Sequence, residues 1–294
     1  MHWSGAAKAV KRRSQLASLL AFVSCCLLST SFVLSGLPPH QRRPVVTDAA
    51  ATKARAEALS ELPPAAASAG TAAARKEVRL QLLAAAAATC RGQCGSAEAK
   101  EGALQLVQAL EALNPTASPA SEIGLLEGDW RLIFASEDVT RSSPFFWGWR
   151  SMLKGVPDPS PLSRLAFGTE ELSDSIFAIT DSIPLKSIGE ATQRIYNGKL
   201  VNRVAIQIFG FGQTVMTTTC RFLPEKVGSE VVLVVETTQA VGSSLPFADD
   251  TVFPSESLLG ENARVTLQVT YLDEELRIVR NVADGQVFVY ARSA

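Results

Sequence analysis

Three groups of side chains in this chain have the types and spacing to do chemistry. Tyr271, Asp273, Arg277 and Arg280 fall within one short stretch, bringing a phenol, a carboxylate and two guanidinium groups together. Such a set can anchor a polar head group, or do acid–base work on a lipid without histidine. The structural alternative is a clamp, in which Asp273 caps the Asp-Glu-Glu turn that follows it and pairs with an arginine. The second group is Ser142–Leu153, SSPFFWGWRSML, where Phe145, Phe146, Trp147, Trp149, Met152 and Leu153 surround Arg150. This segment is too apolar for an exposed loop. As a short helix it forms a lid over a cavity mouth, an interfacial foot in a lipid monolayer, or ordinary core. The third is Cys90 and Cys94. A redox role needs an electropositive helix N-terminus and usually closer spacing, so these read as two small turn residues.

Other chemistries are excluded by what the chain lacks. Its two histidines, His2 and His40, both precede the first carboxylate, Asp48. The remainder therefore has no histidine base, no Ser-His-Asp or Cys-His pair and no histidine zinc site. Cys90, Cys94 and Cys220 are too few and odd in number for a disulfide scaffold. Gly210-Phe211-Gly212 lacks the third glycine and following helix of a nucleotide loop, and Asp249-Asp250 is a poor cation site. No cofactor or metal is expected. Residues 1–75 carry nine Lys/Arg against three Asp/Glu, leaving nineteen against twenty-six in residues 76–294. That acidic body lacks the clustered basic face that nucleic acid requires.

The basic leader reads as an address. Lys8, Lys11, Arg12 and Arg13 precede the chargeless run Leu16–Leu34, so residues 1–36 have the layout of a signal peptide rather than a permanent anchor. Residues 37–75, rich in Ala, Pro, Ser, Thr and Arg, are expected to be disordered and transit-like. Together they resemble the bipartite presequence of complex plastids, with Ser31-Phe32-Val33 as the Phe-containing junction. Plain secretion is the alternative, disfavoured by the lack of a usable Asn-x-Ser/Thr acceptor, since Asn114 is followed by Pro115, and by the unpaired thiols.

Two helices are expected over about 76–113, the first ending near Arg91-Gly92 and the second at Asn114-Pro115. After Pro119 the period changes to two. In Arg264–Tyr271, Val265, Leu267, Val269 and Tyr271 alternate with polar residues. Lys199–Phe209 places Leu200, Val204 and Ile206 on one face with Asn202 among them. Further strands are expected at Asp129–Ser136, Leu165–Glu171, Ser175–Asp181, Glu190–Tyr196, Gln213–Leu223, Glu230–Gln239, Leu276–Arg280 and Gln286–Tyr290. Asn197-Gly198 marks a type I′ hairpin. Short strands without intervening helices imply a sandwich or an up-and-down barrel, and closure favours the barrel because it leaves no free edge.

Specific blocks sharpen this. Leu110–Thr116 with Pro119 and then Leu126-Glu127-Gly128-Asp129-Trp130-Arg131-Leu132 resembles the opening of the plastid lipid-associated protein (PAP)/fibrillin domain. Ser143–Trp147 looks like its next block, and Gln193–Gly198 with Leu200, Val201 and Asn202 is similar to its central hairpin. Tyr271-Leu272-Asp273, Leu276-Arg277-Ile278, Arg280, Gly285, Phe288 and Val289 resemble its C-terminal signature. Trp149, Met152, Leu153 and the long Leu245–Gly260 insert depart from the pattern. The resemblance implies a mostly β, lipocalin-like, closed or near-closed antiparallel barrel over about 125–292, preceded by the two helices, within a domain spanning 76–294. It implies attachment to plastid lipid bodies or thylakoid margins, handling of isoprenoid, quinone or acyl lipid, and no catalysis.

A small barrel has an interior wide enough for one apolar ligand when its inward positions are not all bulky. Trp130 opens the first strand, where lipocalin-type barrels commonly close their lower end with an aromatic. The expected ligand-contacting residues are Trp130, Phe134, Phe145, Phe146, Trp147, Tyr271, Asp273, Arg277 and Arg280. The rival is a cofactor-free lipid isomerase or cyclase on the same barrel, using Tyr271, Asp273 or Arg277. An Asp273 facing outward favours the binder.

Overall fold

The computed structural model describes residues 64–158, 165, 168–181, 187–208, 212–225, 228–243 and 252–293. The expected signal-like segment, most of the transit-like segment, Gly210-Phe211 and Asp249-Asp250 lie outside them. Helix α1 runs Pro64–Ala88 and α2 runs Ala97–Ala112. α1 starts earlier than periodicity indicates, within the stretch expected to be disordered. Its first turns are almost entirely Ala and Ser, whose high or neutral helix propensity carries the helix without an apolar stripe. Ser96 caps α2 by accepting from the Ala99 N–H at 3.2 Å.

The turn between the helices corrects the reading of Cys90 and Cys94 as plain turn residues. They form a disulfide across it, with Cα atoms 5.6 Å apart. Cys90, Arg91 and Gly92 all adopt positive φ. Gly92 is required there, since a Cβ would stand 2.2 Å from the Ala135 carbonyl oxygen. Arg91 reaches across to donate to the Gly189 and Ile188 carbonyls at 2.7 and 2.5 Å.

A short helix, α3 (Ile123–Leu126), precedes β1 (Gly128–Ala135). Then follow α4 (Pro144–Leu153), α5 (Leu172–Asp181), β2 (Ser187–Tyr196), β3 (Lys199–Ile208), β4 (Gly212–Pro224) and β5 (Glu230–Val241). The chain ends with β6 (Val252–Phe253), α6 (Ser255–Leu259), β7 (Arg264–Leu272), β8 (Leu276–Asn281) and β9 (Val287–Arg292). Helices thus interrupt the strands, contrary to expectation, and Ser175–Asp181 is helical rather than extended. Its short apolar run fits both periods, and length alone does not separate them.

The pairing order β4-β3-β2-β1-β9-β8-β7-β5, completed by β4 against β5, closes eight antiparallel strands into a ring, with β6 beside β5. Asn197 and Gly198 turn β2 into β3 with φ of 47° and 68°, as a type I′ hairpin demands. Alternation then sorts side chains to two cores. Val265, Leu267, Val269, Val279, Phe288 and Tyr290 point inward with Trp130 and Leu132. Leu276, Ile278, Val287 and Val289 point outward, where Val78, Leu82, Leu106 and Leu110 of α1 and α2 cover them. Burial of this second stripe straps the helical pair onto the β1/β9/β8/β7 side of the ring.

Candidate functional site

Strand register puts a polar layer inside the ring. Trp130 stands opposite Gln193, Gln193 opposite Asn202, and Asn202 opposite Thr218. Thr218 stands opposite Thr238, while on the other side Arg277 stands opposite Tyr290. All seven are buried. Gln193 Nε2 donates to Tyr290 Oη at 2.9 Å and to Asn202 Oδ1 at 3.2 Å, and its Oε1 accepts from Arg277 Nη2 at 2.5 Å. The Arg277 guanidinium lies 4.9 Å from the Trp130 ring centroid and 4.7 Å from that of Tyr290. Among the described residues no carboxylate pairs with it. Burial pushes its pKa down to about 10, so it remains a cation at neutral pH.

Trp130 closes this end. Its indole N–H donates to the Leu126 carbonyl at 2.8 Å, and the Arg292 guanidinium lies 4.3 Å from its ring centroid. Arg292 in turn holds the Glu127 carbonyl at 2.8 Å and that of Leu125. Gly128, at φ 132°, leaves the space for it, since a Cβ would meet Arg292 Nη1 at 2.4 Å.

The other limb of the layer meets α4. Thr218 and Thr238 hydroxyls lie 3.3 Å apart, with Ser143 Oγ 3.0 Å from Thr218 and Ser255 Oγ 3.1 Å from Thr238. Ser143 is the residue preceding α4, and Ser255 opens α6. Four buried hydroxyls therefore seat both helices on β4 and β5. From that seat Phe145, Trp147 and Trp149 turn into the core, and Trp147 packs against inward-facing Phe288 with centroids 5.2 Å apart and the rings tilted by 44°. Phe146, Met152 and Leu153 are partly buried against the same core. Arg150 fastens the outer side of α4 to Asp284, Asp174 and Glu137 at 3.4–3.6 Å. α4 is packed across the ring, and in this conformation the monolayer-foot reading has no exposed aromatic face to use.

The expected contact residues therefore divide. Trp130, Arg277, Phe145, Phe146 and Trp147 gather in or against the interior. Phe134 and Tyr271 do not: each follows a register shift, at Leu132/Phe134 and at Val269/Tyr271, and joins the outer core beneath α1 and α2. A bulge consumes one residue and flips the alternation beyond it. Tyr271 donates to Asp273 Oδ2 at 2.5 Å, and burial first, then this bond, push its phenol pKa up. Asp273 Oδ1 accepts from the Glu275 and Leu276 N–H groups at 2.8 and 2.7 Å, capping its turn. Its arginine partner is Arg79, at 3.7 Å, and with Arg75 and Arg79 it lines an open surface groove of about 350 Å³. Arg280 also faces out, gripping Glu111 of α2 through two 2.8 Å bonds. Gln193, Thr218 and Thr238 were not among the expected contact residues, although Gln193 opens the hairpin block. Asn202, a polar residue on an apolar face, was the visible sign of their layer.

Among the described residues no cluster of three or more His, Cys, Asp or Glu side chains could hold a metal, and no helix is long and apolar enough to cross a membrane.

A closed ring of antiparallel strands, apolar inside apart from one polar layer and strapped by a helical pair, defines a β-ring protein. The PAP_fibrillin family model matches residues 76–146 and 164–291, and the chain belongs to that family. It is 29% identical over 219 residues to the chloroplastic plastid-lipid-associated protein of Citrus unshiu, covering 69% of this chain and 64% of the relative. It is 29% identical over 218 residues to the chloroplastic light-induced protein of Solanum tuberosum, covering 68% and 62%. It is 27% identical over 219 residues to the chromoplast-specific carotenoid-associated protein C2 of an Oncidium hybrid cultivar, covering 68% and 64%. The chain thus spans less than two thirds of the length of these curated relatives. No solved structure matches it.

Proposed function

We propose that this chain is a plastid protein that holds an isoprenoid or acyl lipid inside its lipocalin-like ring, without catalysis. The observation that carries this reading is the pairing of an apolar interior with the aromatic helix α4 laid across it. Burying a lipid tail there returns roughly 25 cal/mol per Å² of apolar surface, enough to offset ordering costs. The relatives named for plastid lipid and carotenoid association support the same reading. The outward, turn-capping Asp273 and its bond to Tyr271 speak for a binder rather than a His-free isomerase, because neither group faces the interior.

Residues 1–75 then serve as the bipartite address, and lipid bodies or thylakoid margins are the surface served. Full-length protein purified from plastids is expected to carry lipid in a near-stoichiometric amount by mass spectrometry. Recovery of the folded protein free of lipid, with no uptake from liposomes, overturns the reading. A fluorescent protein fused after residue 75 should enter the plastid, and secretion of that fusion would contradict the address.

A further inference from the structure

The polar layer beside Trp130 has more donors than acceptors. The acceptors around Arg277, which are Gln193 Oε1, Asn202 Oδ1 and Tyr290 Oη, are already engaged within the layer, and the Thr218 and Thr238 hydroxyls are engaged with each other and with Ser143 and Ser255. Arg277 Nε and Asn202 Nδ2 are left over, both buried and both without a hydrogen-bond partner. The Tyr290 hydroxyl, accepting from Gln193, keeps its own proton to donate. The layer also carries one unit of positive charge on Arg277, which is 2% exposed and unpaired with any carboxylate among the described residues. Arg280, three residues on, has its Glu111, and Arg292 has its carbonyls. A buried cation whose aromatic neighbours supply only partial compensation is costly to keep, and buried donors without acceptors add to that cost.

We propose that this layer is the head-group site for a single carboxylate, borne by an amphiphile whose chain lies along the ring's apolar interior. The proposal rests on the reading that the ring holds an apolar ligand. A carboxylate offers only acceptors and carries one negative charge, which matches the leftover donors and the single guanidinium. A neutral quinone or hydrocarbon leaves the charge uncompensated. A diphosphate brings more negative charge than one arginine balances. Water is excluded at this depth, so the ion pair is not screened as it would be at the surface.

The test titrates the full-length protein with cis-parinaric acid and its methyl ester, following probe fluorescence. The acid should bind at least tenfold tighter than the ester. Arg277→Met should abolish the preference by weakening the acid while leaving the ester unchanged. Asn202→Asp supplies an internal carboxylate two residues along the hydrogen-bonded chain from Arg277, beyond Gln193, and should also weaken the acid alone. Circular dichroism establishes that each variant is folded. Should Arg277→Met fail to fold, Asn202→Asp and the wild-type acid-to-ester ratio still decide. Equal binding of acid and ester by the wild type, or a preference that survives in a folded Arg277→Met, overturns the head-group site. Displacement of the acid by hexadecyl phosphate more readily than by palmitate overturns the single-charge assignment. If neither fluorescent probe binds, the lipid-holding reading falls with it.

Discussion

Arg277 and Tyr290 stand opposite each other on β8 and β9, the guanidinium 4.7 Å from the phenol centroid, in a layer closed to water. The cation favours a phenolate, but burial acts more strongly in the other direction and the Tyr290 pKa is raised.

That raised pKa gives the first prediction. A tyrosine whose folded pKa lies above its unfolded value contributes stability that is intact below about pH 10 and is lost as pH rises beyond it. Tyr271 is shifted in the same direction. Urea unfolding between pH 9 and 11 should therefore show stability declining above about pH 10. Tyr290→Phe and Tyr271→Phe should each remove about 1.4 kcal/mol of the decline summed over that pH range. An alkaline slope unchanged in both variants would show that neither phenol is held protonated by the fold.

The second prediction concerns the strap. Glu111 of α2 meets Arg280 of β8 in a two-bond pair, and the two side chains are 16% and 28% exposed. A double-mutant cycle with Glu111→Gln and Arg280→Gln should give a coupling of about 1 kcal/mol. Zero coupling would leave α2 held by its apolar face and the Thr270 bond to Glu111.

The third concerns the seat of α4. At Gly148 a Cβ would stand 2.5 Å from the Asn262 carbonyl oxygen and 3.0 Å from the Leu259 side chain. Gly148→Ala should cost about 1–3 kcal/mol and speed the release of any bound lipid probe, because the helix must lift to make room. Gly124→Ala, where a Cβ meets nothing within 4 Å, is the control and should stay within about 0.5 kcal/mol of wild type. Gly148→Ala with wild-type stability and release would show that α4 is not held closely.

The fourth concerns Cys90 and Cys94. In the denatured chain both should resist alkylation until a reductant is added, whereas Cys220 should react at once. Reduction should remove about 2 kcal/mol of stability, the constraint expected for so short a loop. Immediate alkylation of Cys90 and Cys94 along with Cys220 would show the pair to be thiols.

Much of the ring was legible because its strands expose one periodicity. Val265, Leu267 and Val269 alternate with polar residues, and Asn197-Gly198 names its own turn. The site was legible only in part. Alternation assigns Tyr271 to the face of Val269, but a bulge that leaves no mark in residue type turns it outward. The same applies to Phe134. Arg277 and Arg280 look equivalent in sequence, yet their odd spacing sends one inside and the other to α2. The polar layer joins residues from strands far apart in the chain, and its members become neighbours only through register.

The ring is sealed where β1 meets β9, with Arg131 opposite Ala291. Its first and last strands are thus each other's neighbours, the arrangement that gives high contact order and slow folding. A chain emerging from its N-terminus would carry β1 with one unpaired edge until the final strand arrived. Loss of the last few residues would not trim the molecule but reopen it, presenting Trp130 and its layer to water and a bare edge to other chains.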